Sequence, residues 1–366
     1  MRNRLVSAIL FTIALTGTAR PSSEQTNGFE FNDSHFHLTN YIQEGTNIRD
    51  FLKIMGYKAG RVALFGIPLQ QQWSYRVDGD RAPKYYLDTD APLYYYSFTD
   101  AWIAMAYKSL RPEQQARFDP MITGFNPTDM YGVDHIRRVL QTFPGVFSGI
   151  GEFSIHKEFV SGKVAGPVAS LNDPALDRIL DFAGEAGLVV LIHNDMDRPF
   201  AKESDTGQHP AKEASGPLYL DQVKALFKRH PGTTIIWAHT GVGRVVRPIK
   251  NHAANLAKIL ADPQFSHVYF DISWDEVAKY IIATPESTRI TADLINHYPD
   301  RFLFGTDEVA PADQSAYTKI YYQYQPLWNL LDPETSRKVR LTNYERIFDG
   351  ARRKVRDWEA QHVTRP

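Results

Sequence analysis

Cysteine is missing from all 366 residues, which removes disulfides, thiolate nucleophiles and cysteine-based metal sites together. It also excludes a lipid-modified cysteine behind an export signal. Charge of one sign is missing too. The 41 basic and 42 acidic residues leave a net charge of −1, and no long run of either sign interrupts the balance. Neither nucleic acid nor an anionic membrane is therefore an expected partner. No apolar run reaches the roughly 18 residues expected of a membrane-spanning helix. A Gly-x-Ser-x-Gly elbow, a phosphate-binding P-loop and a dinucleotide fingerprint opening a helix after a strand are all absent. Gly241-Val242-Gly243 is too short for the last of these.

What is present begins with a targeting pattern. Arg2 and Arg4 precede a mostly apolar stretch over 5–15, and Thr16-Gly17-Thr18-Ala19 offers small residues for cleavage. Residues 1–19 are expected to form a signal peptide, 20–27 a polar linker and 28–366 a single domain. A periplasmic or secreted destination follows. The apolar share of 43% and charged share of 23% are those of an ordinary globular protein with a sizeable core. Aromatics, at 13%, cluster at Tyr85, Tyr86, Tyr94, Tyr95, Tyr96 and Phe98, and again at Tyr321, Tyr322 and Tyr324. Such clusters pad cores, subunit contacts or ligand clefts.

Short apolar runs alternate with helical patterns along the rest of the chain. Strands are expected over 29–37, 61–67, 120–125, 146–153, 188–193, 233–239, 267–273 and 301–306. Several are nearly continuous in Val, Ile, Leu and Phe, as strands buried on both faces should be. Helical spacing marks 46–57, 134–143, 173–186, 218–230, 251–260 and 286–298, with further helix from Asp332 onward packed outside the barrel. Asp173-Pro174 reads as an N-cap with a first-turn proline, and Gly187 as a helix stop. Eight alternating units predict an α/β fold, a (β/α)₈ TIM barrel, within the size range of roughly 200 to over 400 residues. Between the second and third strands, 68–119 is far longer than an ordinary loop. It should hold a helix near 99–110 and could act as a lid or substrate wall.

The chemistry gathers at strand ends. His35 and His37, two apart on one strand, project from the same face. Glu152, His193, His239 and Asp307 then close later apolar runs, where a packed strand gains nothing from a charge or an imidazole. In a closed barrel these ends share one mouth, so six metal-friendly side chains converge from strands one, four, five, six and eight. That is a divalent metal site, with zinc the expected ion. Arg244 and Arg247 follow His239, and Arg198 follows His193. Arg244 and Arg198 are candidates to grip a substrate carboxylate or phosphate. Asp33 is expected either to orient an imidazole or to face solvent. The remaining histidines, including His230 and His252, are expected at surfaces or helix ends.

The ordered set His35-x-His37, His193, His239 and Asp307 resembles the amidohydrolase superfamily of metal-dependent barrels. Thr240-Gly241 after His239 and the Phe304-Gly305-Thr306-Asp307 ending resemble its amidohydrolase-related branch, also called amidohydrolase 2. The resemblance implies one or two metals per chain. Two-metal members such as phosphotriesterase carry a bridging carboxylated lysine on strand four. Glu152 stands there here, and Lys157 follows five residues on, past the strand end. With one metal, His35, His37, His193 and Asp307 would be the ligands and His239 would polarise the substrate. With two, Glu152, His193 and His239 would complete the second site. The implied activity is hydrolysis of an amide, ester, lactone or phosphoester bond of a small molecule by metal-activated water, with Asp307 moving the proton and His239 or the second metal stabilising the oxyanion. The rivals are a metal-dependent decarboxylase of an aromatic or unsaturated acid and a non-catalytic binding barrel. Homo-oligomer formation is left open.

Overall fold

Runs of Val, Ile, Leu and Phe that bury both faces form eight parallel strands, which roll into an α/β TIM barrel. The computed structural model describes residues 28–197, 217–244, 249 and 251–363; the expected signal peptide and linker, and Arg198 and Arg247, lie outside these. The barrel strands are β1 Phe31–His37, β2 Ala59–Phe65, β3 Phe118–Ile122, β4 Gly149–Ser154, β5 Val189–His193, β6 Ile235–Trp237, β7 Val268–Asp271 and β8 Phe302–Leu303. Each pairs in parallel with the next along the chain. A short strand, Glu308–Val309, pairs with β1 through Phe36 to Glu308 and His37 to Val309, closing the ring.

The eighth strand expected over 301–306 is shortened to Phe302–Leu303 and gains a second piece, Glu308–Val309, beyond its expected end. Between its two pieces the Ser34 amide donates to the Phe304 carbonyl at 3.0 Å and the Asp307 amide to the His35 carbonyl at 2.7 Å. Gly305 allows this close approach, since a Cβ there would lie 2.7 Å from the Cβ of His35.

Alternation along the strands builds two cores. Ala63, Phe65, Met121, Val189, Leu191, Ile236 and Leu303 fill the barrel interior, while their neighbours Val62, Leu64, Ile122, Val190, Ile192 and Ile235 meet the helices outside. The helices fall close to the expected spans, including Ile48–Met55, Gly132–Thr142, Leu220–Arg229, His252–Ala261 and Pro285–His297. In Pro174–Ala186 the Asp173 carboxylate accepts from the Ala175 amide and Gly187 ends the helix at φ 77°. The tail helix Asn343–His362 does not merely lie outside the ring. Its stripe Tyr344, Ile347, Phe348 and Ala351, at helical spacing, plugs the floor of the interior core.

The long insertion contains an antiparallel hairpin, Leu69–Gln71 with Leu93–Tyr95, and the helix Phe98–Lys108. Tyr86 packs against Tyr41, with ring centroids 4.5 Å apart, and joins Ile67, Leu69, Leu93 and Val160 in a separate apolar cluster beside the loop after β4. The second aromatic group has a packing role. Tyr321 stacks on Phe31 at 4.8 Å and meets Phe304 and Trp328.

At the N-terminal end of β3, fully buried Asp119 ties the floor together. Its carboxylate accepts from Arg61 at 2.8 Å, from Arg352 at 2.9 Å and from the Tyr344 hydroxyl at 2.8 Å. Removing it would strand a buried cation and a hydroxyl. We expect Asp119→Ala to lower unfolding free energy by about 3–5 kcal/mol while leaving metal content unchanged. Chemical denaturation and metal analysis check this, and a loss below about 1 kcal/mol would contradict the role given to Asp119.

Candidate metal centre

The alternation of β1 places His35 and His37 on one face, their ring centroids 5.3 Å apart. Asp307 is brought across to them by the pairing of Glu308–Val309 with β1. Its Oδ1 lies 3.1 Å from His35 Nε2 and 3.0 Å from His37 Nε2. Glu152 enters from β4, its Oε2 lying 3.4 Å from His37 Nε2 and 3.8 Å from His35 Nε2. These four side chains form one group able to hold a cation, and Glu152, His193 and His239 form an adjoining one. His239 Nε2 lies between them, 3.6 Å from Glu152 Oε1 and 3.9 Å from Asp307 Oδ2. All six predicted residues therefore meet at the mouth. His193 is the most committed, with Nδ1 at 2.6 Å from Glu152 Oε1 and Nε2 at 3.0 Å from Asp195 Oδ1.

Sequence reasoning missed the pair that aims the imidazoles, Asp271 and Ser273. Asp271 is fully buried and ends β7. Its Oδ2 lies 2.9 Å from His35 Nδ1, and its Oδ1 accepts from the Ser273 hydroxyl at 2.7 Å and from the His239 amide at 2.7 Å. The Ser273 oxygen also lies 2.9 Å from His239 Nδ1. Donor counting fixes the tautomers. An ionised carboxylate only accepts, and serine has one proton, which goes to Asp271. His35 and His239 must then both donate from Nδ1, turning Nε2 toward the centre. In both residues Nε2 is buried and faces carboxylate oxygens, Asp307 Oδ1 at 3.1 Å from His35 and Glu152 Oε1 at 3.6 Å from His239, without an aligned hydrogen bond. A burial that leaves two such nitrogens unpaired is costly unless something else binds them, and the set of imidazoles and carboxylates fits a divalent cation. An aspartate two residues before a serine, at the end of the seventh strand candidate, was the overlooked signal.

Electrostatics agree. Burial works to raise the Asp307 and Glu152 carboxyls. The surrounding imidazoles nevertheless hold Asp307, and Lys157 and His193 hold Glu152, well below the usual carboxylate range. Burial likewise disfavours a charged His35, yet Asp307 and Asp271 draw it well above its ordinary range. The cluster attracts positive charge.

The expectation for Asp33 needs correction. Asp33 neither orients an imidazole nor faces solvent. It is wholly buried, and its oxygens accept from the His35 amide at 3.0 Å, the Thr306 amide at 2.8 Å, the Thr306 hydroxyl at 2.6 Å and Tyr317 at 3.0 Å. It fastens β1 to the turn carrying Asp307. Lys157 does lie past the strand end, but its side chain folds back to Glu152, with Nζ 3.3 and 3.4 Å from the two oxygens. Arg244 lies with its guanidinium 5.2 Å from the Trp274 ring and Nε 3.9 Å from Glu158. Trp274 in turn faces His239 at 5.0 Å.

His239, Thr240 and Asp307 adopt φ of 58°, 52° and 54°, a left-handed conformation costing non-glycine residues roughly 1–2 kcal/mol each. The first turn is held by Asp271 on the His239 amide and by His252, whose Nε2 meets the Thr240 carbonyl at 2.9 Å. His252 opens its helix, as expected of a helix-end residue, and is buried because the helix turns it inward under this strained carbonyl. His230 is buried too, between Asp177 and Asp181.

Comparison with known proteins gives this mouth a family. The Amidohydro_2 model, described as amidohydrolase, matches residues 33–350. The chain belongs to the amidohydrolase family. It is accordingly an enzyme of that superfamily. No curated protein sequence matches this amidohydrolase. Solved structures share its barrel. A protein from Pseudomonas putida described as a 2-pyrone-4,6-dicarboxylic acid hydrolase aligns at 14% identity and TM-score 0.50, covering 87% of this chain and 97% of that one. An amidohydrolase from Burkholderia multivorans with bound zinc aligns at 12% identity and TM-score 0.54, over 87% and 99%. An uncharacterised TIM-barrel protein from Bordetella bronchiseptica aligns at 12% and 0.50, over 87% and 99%.

Two outcomes follow for this amidohydrolase. Asp271→Asn should weaken zinc affinity by about 10- to 100-fold, measured by chelator competition; unchanged affinity would mean that Asp271 does not aim the imidazoles. Burial lowers His252 to about 4 from an ordinary value of 6.5. Between those values the unfolded chain holds a proton that the folded one lacks, so stability falls as pH drops from 6.5 toward 4 by up to about 1.4 kcal/mol per unit from this group. His252→Gln should shrink that slope, and denaturation curves at pH 4.5 and 6.5 for both proteins measure the difference.

Proposed function

We propose that this amidohydrolase is a metal-dependent hydrolase cleaving an amide, ester, lactone or phosphoester bond of a small polar substrate. The observation that carries the reading is the pair of buried Nε2 atoms of His35 and His239, without aligned hydrogen bonds and aimed at the Asp307 and Glu152 carboxylates by Asp271 and Ser273. His35, His37, Glu152 and Asp307 would hold the ion, zinc by preference, with His239 and His193 beside them. Such an ion supplies Lewis acidity and lowers the pKa of water to about 7.

The protein's own groups do the rest. Asp307 turns Oδ1 to His35 and His37, leaving Oδ2 on the His239 side to take a proton from water and return it to the leaving group. The imidazoles that hold Asp307 ionised keep its oxygens unprotonated, while lowering their basicity. His239 is held neutral by burial, which suits a ligand more than a proton donor to substrate. Trp274 covers His239 and limits water, and Arg244 beside it can hold a carboxylate or phosphate of the substrate. Tyr41 and Tyr86 supply an aromatic wall.

One observation favours a second reading, a metal-dependent decarboxylase of an aromatic or unsaturated acid. Lys157 and Arg244 set two cations at the mouth where a substrate carboxylate would dock. A panel of amides, esters, lactones, phosphoesters and aromatic acids, with and without chelator, separates the two by product. We expect hydrolysis, lost on metal removal. Asp307→Asn should cut turnover by about 1,000-fold or more with an unchanged circular dichroism spectrum. Near-normal turnover in that variant would take Asp307 out of the mechanism, and carbon dioxide release without hydrolysis would favour the decarboxylase.

A further inference from the structure

We infer that Lys157 takes the place of a second metal ion, so that the centre holds one divalent cation per chain. The inference rests on the metal-centre reading above and deepens it. Among the described residues, the carboxylate shared by the two candidate groups, and so placed to bridge a pair of ions, is Glu152. Its two oxygens are already engaged together by the Lys157 ammonium, at 3.3 and 3.4 Å. Oε1 is further committed to His193 Nδ1 at 2.6 Å. The Glu152–His193–His239 group is thus closed on itself by a short hydrogen bond and capped by a cation. The His35–His37–Glu152–Asp307 group shares Glu152 and holds a longer hydrogen bond, His37 Nε2 with Asp307 Oδ1 at 3.0 Å, but among the described residues Asp307 forms no ion pair with a lysine or arginine.

Lys157 is not a surface tether that swings aside. Its side chain is 11% exposed, and the backbone on either side of it is pinned. The Ile155 amide donates to the His193 carbonyl at 3.0 Å, the Lys157 amide to Ser161 Oγ at 2.9 Å and the Glu158 amide to Asp195 at 3.1 Å. The loop after β4 is therefore built to return the ammonium to the strand it left. A second divalent ion on Glu152 would sit next to this fixed ammonium, an arrangement that low-dielectric surroundings penalise.

The test is metal stoichiometry, with no need for a substrate. Zinc and cobalt(II) would be titrated into the metal-stripped full-length protein, into Lys157→Met and into the charge-preserving Lys157→Arg. Bound equivalents would be read by atomic spectroscopy after dialysis, and cobalt–cobalt coupling by electron paramagnetic resonance. Wild type and Lys157→Arg should retain one equivalent without coupling. Lys157→Met should retain two, its second site binding roughly 100-fold or more tighter than any weak second site of wild type, with coupled cobalt. Two tightly held equivalents in wild type would overturn the role of Lys157 alone, as would one equivalent in a folded Lys157→Met. Two in Lys157→Arg would show that charge is not the agent and would also overturn it. Failure of all three to retain metal would sink the metal-centre reading and this inference together.

Discussion

Two carboxylates and three imidazoles cannot be buried within about 4 Å of one another unless positive charge is bound among them. That constraint organises the mouth of this barrel. Asp307 and Glu152 remain ionised despite burial because cations and imidazoles crowd them, and His35 is drawn toward protonation by the same field. A proton can satisfy the cluster, but it competes with any metal for the same nitrogen lone pairs, which is why metal binding at such sites releases protons. Asp271 and Ser273 decide the geometry of that competition. By claiming Nδ1 of both His35 and His239, they leave Nε2 as the only atom through which either ring can answer the carboxylates.

The same contacts hold the backbone where it is strained. His239 and Thr240 occupy left-handed positions that a β-branched residue such as threonine strongly avoids. One carboxylate, Asp271, grips both the His239 amide and the His35 ring, so the position of the turn and the aim of an imidazole from the opposite side of the mouth are set by a single side chain. Asp33 works in parallel on the Thr306 turn before Asp307. Strain concentrated at the strand ends, and held by buried carboxylates, is what pre-organises ligands ahead of any ion.

Much of this was legible in the chain. Continuous apolar runs gave the barrel, because strands covered on both faces have no polar side to show. An imidazole or carboxylate closing such a run marked the mouth, which brought His35, His37, Glu152, His193, His239 and Asp307 to one place. Helix ends at Asp173 and Gly187 were readable because capping is local chemistry. Asp271, Ser273 and Lys157 were not. The role of Asp271 depends on β7 lying between β6 and β8, and that of Lys157 on a loop that doubles back. Both are consequences of three-dimensional closure, invisible to periodicity. The eighth strand was misjudged for the same reason: its second piece, Glu308–Val309, depends on pairing with β1 and not on residue preference.

The two ends of the barrel show what the unsatisfied atoms mean. At the floor, Asp119 meets two guanidiniums and a hydroxyl, and the charges are matched within the protein. At the mouth, equally buried groups go unmatched: Nε2 of His35 and His239, and both oxygens of Glu158, which lies 3.9 Å from Arg244 Nε, too far for a hydrogen bond. The fold that satisfies a buried carboxylate at one end has the means to do so at the other. Partnerless polar atoms also occur elsewhere, on Ser148, Tyr324 and Glu359, but every buried imidazole nitrogen left without a partner among the described residues, on His35, His37 and His239, lies at this rim. The nitrogens ask for a cation. Glu158, with both oxygens buried, and Arg244 beside it place an acceptor and a guanidinium at the same rim.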